Sequence, residues 1–184
     1  MKKYFRLMLC ALLVIAFAAS AAACKGGDPK PIDTNDNTAA PATQAPAKDL
    51  DVDELAKSIS ENVPFEDEYL TLVEDREFAL KFYKIDPALV AEKDGVKQVA
   101  VYSASSTPEM IVCVKAVDEA SAEQVLEPIK ALLKYYAENY TNYGPEQVQK
   151  INSAVEVIDG CYVIVAVSND NTAAGKYIDG LLGK

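Results

Sequence analysis

The chain has 184 residues, of which 28 are acidic and 18 basic, for a formal net charge of −10, and it holds no histidine and no tryptophan. Such acidity leaves no electrostatic footprint for nucleic acid and is repelled by anionic lipid, so membrane attachment would have to come from an anchor. The lack of histidine removes Ser-His-Asp and Cys-His catalysis, the commonest general base and the commonest transition-metal ligand.

The chain opens with Lys2, Lys3 and Arg6, then an unbroken apolar run from Leu7 to Ala19, then small residues up to Ala23. A basic start, a short apolar core and a small-residue exit predict a secretory signal peptide over residues 1–23. The run is shorter than the roughly 20 residues of a membrane span. Cys24 follows "AAA" and precedes "KGGD". This resembles the bacterial lipobox, whose cysteine is lipidated and becomes the first residue of the mature protein. Ala21 departs from it, since the usual pattern has Leu there; plain cleavage near Ala23 is the alternative. Cys10 lies inside the apolar run. Lipidation at Cys24 predicts an exported protein, anchored on the extracytoplasmic side of the cell membrane by the double acylation that stable attachment takes.

Residues 24–48 are rich in Pro, Thr, Ala, Asn and Asp, with Ile32 as the only large aliphatic side chain and no aromatic. They cannot bury enough apolar surface to offset ordering entropy, and predict a flexible tether. One domain is expected over residues 49–184. "DVDELAKSISEN" places Val52, Leu55, Ala56 and Ile59 on one helical face, with Asp51 and Glu54 spaced as a capping box and Pro64 as the stop. A second helix is expected over Asp75 to Lys84, with Phe78, Phe82 and Tyr83 inward. Asp86 and Pro87 then suit another helical turn.

"VKQVAVYS" and "EMIVCVKAV" are β-branched runs separated by "ASSTP", and read as an antiparallel pair. The longest helix is expected over Ser121 to Tyr140, capped by Ser121 and Gln124. Its stripe is Val125, Ile129, Leu132, Leu133, Tyr136 and Tyr140, and Pro128 within it predicts a bend or a late start. "NYGPEQ" breaks the pattern. "AVEVIDGCYVIVAVS" reads as a hairpin turning at Asp159-Gly160, with Ile158 opposite Cys161 and Val157 opposite Tyr162. Both faces of its second strand are apolar, so cover is expected on both sides. A final helix, Thr172 to Leu182, is capped by Asn171. The expected fold is therefore α+β: a mainly antiparallel four-stranded sheet from two hairpins, with N-terminal helices, a long central helix and a C-terminal helix.

With Cys10 in the signal and Cys24 lipidated, Cys113 and Cys161 remain, both in expected strands. Export permits a disulfide between them; two small buried thiols are the alternative. No C-x-x-C, P-loop or EF-hand register is present. Gly175-Lys176 lacks the glycine and hydroxyl of a P-loop, and "DLDVDE" has Glu54 and Ser60 where a calcium loop needs Gly and Glu. No metal and no cofactor is expected. The acids of "FEDEY" and "LVEDRE" could supply a carboxylate pair, but such runs are usually solvated faces.

Ten tyrosines are the remaining compositional signal. Tyr135, Tyr136, Tyr140 and Tyr143 cluster at the end of the long helix. Tyr136 and Tyr140 share the core stripe, whereas Tyr135 and Tyr143 are candidates for an exposed binding surface.

"FYKIDPALV", "STPEMIVCVKAVDEASAEQV" and "NYGPEQVQKINSAVEVIDGCYVIVAVSND" together resemble, in order and spacing, the bacterial lipoproteins that carry the DUF4358 domain. The family's Tyr-Gly-Ile-Asp-Pro segment has Gly where this chain has Lys84, and its early strand glutamate is similar to Glu109. The resemblance covers roughly residues 50 to 183. It implies a lipoprotein signal and one domain of unknown function, and brings no reaction, cofactor or catalytic residue. The expected function is a non-enzymatic, lipid-anchored binding or accessory module that presents a face to an envelope protein. The alternatives are a small-ligand or glycan-binding module using exposed tyrosines and, behind it, a carboxylate-based hydrolase.

Overall fold

The computed structural model describes residues 49–66 and 68–184; the expected signal peptide, Cys10, Cys24 and the tether lie outside the described residues. Helix α1 (Val52–Asn62) starts where expected, with the Asp51 carboxylate accepting the Asp53 and Glu54 N–H groups at 2.9 and 3.1 Å. It buries Val52, Leu55, Ala56 and Ile59, the expected stripe. Pro64 follows the end of the helix.

Helix α2 (Arg76–Phe82) closes in a Schellman motif. The Lys84 N–H donates to the Lys81 carbonyl at 3.2 Å, and the Ile85 N–H to the Leu80 carbonyl at 2.9 Å. Lys84 therefore sits at the left-handed position, with φ +56°. Glycine serves there without a Cβ clash, and Lys84 does not. Tyr83 is buried as expected, but Phe78 and Phe82 are 55% and 44% exposed and stack on each other with centroids 5.9 Å apart. The short helix turns Ala79 and Leu80 inward instead. Asp86 then caps a 3-10 turn, Pro87–Leu89.

Five antiparallel strands form the main sheet in the order β1-β4-β5-β7-β6. They are β1 (Thr71–Leu72), β4 (Val99–Ser103), β5 (Met110–Lys115), β6 (Val155–Asp159) and β7 (Tyr162–Val167), while β2 (Glu92–Lys93) and β3 (Val96–Lys97) make a separate ribbon. The two expected hairpins are present and meet at β5 and β7. The expected count of four is corrected by β1, which adds an edge only two residues long. The ribbon turns at Asp94-Gly95, both at positive φ.

The second hairpin turns one residue later than expected. Asp159 pairs with Tyr162, and Ile158 with Val163. Gly160, at φ +57°, and Cys161 form the turn, with glycine first as a type II′ turn requires. Val157 thus faces Ile164, two residues beyond Tyr162, and the period of two keeps every side chain on its expected face.

Helix α3 (Glu119–Tyr140) begins earlier than expected and continues through Pro128. Its cap is Asp118, whose carboxylate accepts the Ser121 N–H at 2.7 Å. Asp118 can cap because it stands before the helix in extended backbone; Ser121 is already helical. Helix α4 (Pro145–Asn152) occupies the stretch that breaks the periodic pattern, with Pro145 in its first turn. Helix α5 (Asn171–Leu182) is capped by Asp170 rather than Asn171. Asn171 instead accepts from Ser168 and donates to the Lys150 carbonyl at 2.7 Å.

Helices cover both faces of the sheet. Val101, Val112, Val114, Val163 and Val165 pack with α2 and α3, while Ala100, Ile111, Cys113, Ile164 and Ala166 pack with α1 and α5. The expected two-sided cover of the last strand is found, and β7 is buried throughout. Among the described residues, no helix is long and apolar enough to cross a membrane.

Candidate functional site

The C-terminal end of α3 lies beside the loop joining β4 to β5. Between them is a groove of about 370 Å³. One wall is the chain from Ser103 to Met110; the other carries Tyr135, Tyr136, Asn139, Tyr140 and Tyr143. Helical spacing sets this second wall. Tyr136 and Tyr140, four residues apart, share a face and pack their rings against the valine core. Burial, and then the neighbouring phenols, raise the pKa of both.

Tyr135 and Tyr143 are 59% and 71% exposed. Tyr135 tilts against Tyr136 at 6.2 Å, and Tyr143 against Tyr140 at 5.1 Å. The two tyrosines expected on a binding surface are thus on the same groove, each backed by one of the two expected at the core edge. Gly144 allows this approach: a Cβ there would meet the Tyr140 ring at 2.9 Å.

The opposite wall is held from beneath. The Ala104 N–H donates to the Glu109 carbonyl at 3.0 Å and closes the loop. Glu109, just ahead of β5, is 1% exposed. Both its carboxylate oxygens accept the Glu66 N–H, at 3.0 and 2.9 Å, and Oε1 accepts from Lys150 Nζ at 2.9 Å. Lys150 also reaches Glu66 Oε2 at 2.8 Å. Burial pulls the Lys150 ammonium down, but its bonds to Glu66 and Glu109 prevail and hold its pKa above the ordinary value. Lys150, first by hydrogen bond and then by charge, holds the Glu66 carboxyl below its ordinary value.

Lys150 gives no signal in the sequence because the stretch that carries it does not read as a helix. Gly144-Pro145 reads as a break, while Pro at the first helical turn is also a start signal. Glu109 was visible only through the family resemblance.

Three other acids have structural partners. Asp53 takes a two-pronged contact from Arg76 Nη2, at 2.9 and 2.7 Å, and Asp75 caps α2. Asp49 accepts from Lys115 at 2.6 Å, and that hydrogen bond first, then the charge, lowers its pKa. Glu66 of "FEDEY" is shifted toward ionisation, the opposite of what a general acid needs.

Cys113 and Cys161 are both free thiols, without the disulfide that export would permit. Cys113 lies opposite Ile164, and the Cys161 carbonyl accepts from the Ala116 N–H. The two cysteines are three residues out of register, roughly 10 Å along the strand, where a disulfide needs Cα atoms about 4–7 Å apart. Cys161 is in a turn and half-buried rather than in a strand. Burial pushes the Cys113 thiol up, well out of the reactive range.

The chain is thus an α+β domain with a tyrosine-walled surface groove braced by a buried ion pair. It belongs to the family described as a domain of unknown function, DUF4358, whose model matches residues 67–168. The match runs from just before β1 to the end of β7; α1 and α5, which cover the second face of the sheet, lie outside it. No curated protein and no solved structure matches the chain.

Proposed function

We propose that this protein is a non-catalytic binding module, anchored through lipidated Cys24 at the extracytoplasmic face of a membrane, and that it takes its ligand in the tyrosine-walled groove. The observation that supports the reading is the groove itself. It brings Tyr135 and Tyr143, exposed, to one surface opposite the Ser105–Thr107 loop. Concave sites with aromatic walls and a few polar groups are where small ligands bind. Residues 24–48 would hold this surface clear of the bilayer.

A second reading, contact with an envelope protein, is favoured by the Phe78–Phe82 stack. Its rings border a 130 Å³ recess lined also by Val73 and Tyr83. An exposed aromatic pair of this kind is a usual anchor for a protein partner.

Both parts can be tested on the full chain in the membranes of an exporting bacterium. Alkyne-palmitate labelling should mark the native protein and not Cys24→Ala; equal labelling of both would sink the anchor. Envelope material crosslinked to the native chain should be lost with Tyr135→Ala/Tyr143→Ala. Loss with Phe78→Ser/Phe82→Ser instead would move the binding surface to α2.

A further inference from the structure

The chemistry of the groove narrows what it can hold, an inference that rests on its being the binding site. We infer that it takes an uncharged sugar chain, one ring stacked on Tyr143 or Tyr135 and its hydroxyls turned to the Ser105–Thr107 wall.

The groove lies on a strongly acidic chain, yet among the described residues its lining holds no basic side chain and a single acid. That acid, Glu109, is buried and turned to the Glu66 N–H and Lys150. An anionic ligand would meet no cation in the groove and the repulsion of the whole chain. A cationic one would meet a carboxylate already satisfied. A purely apolar ligand would cut water off from the phenols, the Ser and Thr hydroxyls and the Asn139 amide without replacing its hydrogen bonds.

What suits both walls is a ligand with a flat apolar C–H face and polar edges, and a pyranose ring has that shape. Exposed phenol rings offer the stacking surface, and the facing loop offers short hydroxyl donors and acceptors. The volume, about 370 Å³, is in the range of small-molecule sites and open at the surface, so a chain could continue past it.

The test is NMR of the full-length protein in detergent with 13C-labelled tyrosine rings. Tyr135→Phe and Tyr143→Phe assign the signals while keeping a ring to stack on. Cellotetraose and chitotetraose are the uncharged probes, an oligogalacturonate of equal length the anionic one, and a neutral Gly-Ser-Asn peptide the non-sugar one. The uncharged saccharides should move the Tyr135 and Tyr143 ring signals, with binding roughly fivefold weaker in Tyr143→Ala, the loss of one stacking contact. The oligogalacturonate should bind more weakly than either. Equal or tighter binding of the oligogalacturonate overturns the inference, as does a response to the peptide alone or no response to either saccharide. Failure here with captured envelope material still lost in Tyr135→Ala/Tyr143→Ala would leave the groove as a site and remove only the ligand class. If that material does not depend on the two tyrosines, the site itself falls.

Discussion

Lys150 Nζ lies 2.9 Å from Glu109 Oε1, joining α4 to the start of β5 across forty-one residues of chain. The Glu109 side chain has no exposed surface and that of Lys150 is 10% exposed. A buried pair of this kind adds little over an apolar packing, but leaving one partner alone is costly, roughly 3–5 kcal/mol. Lys150→Met should therefore lower stability by about 3 kcal/mol or more. Lys150→Met/Glu109→Gln should recover much of that loss, because the amide oxygen still accepts the Glu66 N–H. Urea unfolding of the four proteins closes the cycle, and additive losses would show the two residues to be uncoupled.

The same cluster sets a pH dependence. Lys150 holds the Glu66 carboxyl below its ordinary value of 4.5, so the stability this provides is present above that value and lost as pH falls through the folded one. The Lys150 ammonium is held above its ordinary value of 10.5, so its part is full below that value and lost as pH rises through the folded one. The gap in urea midpoint between the native protein and Lys150→Met should be level between these limits and narrow on both sides. A gap that widens in acid would contradict the assignment.

Lys84 occupies a left-handed position that carries a steric cost for any side chain. Lys84→Gly should raise stability by about 0.5–1 kcal/mol, the relief of the Cβ clash outweighing the added freedom of the unfolded chain. Lys84→Ala should give no such gain, since alanine keeps the Cβ. Equal midpoints for the Gly and Ala variants would refute the strain argument.

Gly144→Ala should disturb the groove more than the fold. Its new Cβ meets Tyr140 at 2.9 Å, so the ring must shift and carry Tyr143 with it. Tyrosine ring signals and near-ultraviolet dichroism should change, with a stability loss of about 1 kcal/mol. Unchanged Tyr140 and Tyr143 signals would mean that the pair does not depend on the glycine.

The thiols should separate by accessibility. In the native protein, Cys161, half-buried in its turn, should react with a thiol reagent, and Cys113 only after unfolding. A Cys113–Cys161 bridge in a non-reducing peptide map would contradict the strand register.

Much of the fold could be read directly because it rests on local patterns. The α1 stripe, the Asp51 cap and the two β-branched hairpins each declare themselves within a dozen residues. Sequence and structure part where two local signals compete. Gly144-Pro145 reads as a break although Pro145 is a start, while Asp118 outcompetes Ser121 as the cap by standing outside the helix. Hydrophobicity alone points Phe78 and Phe82 inward, but α2 is short and turns Ala79 and Leu80 to the core.

For the candidate site, the sequence alone determined that Tyr135, Tyr136, Tyr140 and Tyr143 cluster, because helical spacing is a local property of the chain. It also determined that two of them belong to the apolar stripe. Only the tertiary structure decided that their neighbour across the groove is the Ser103–Met110 wall, and that Glu109 is neutralised by Lys150 rather than offered to a ligand. Those contacts join segments far apart in the chain. Which distant residues meet is settled by how the helices pack on the sheet, and no local periodicity records that.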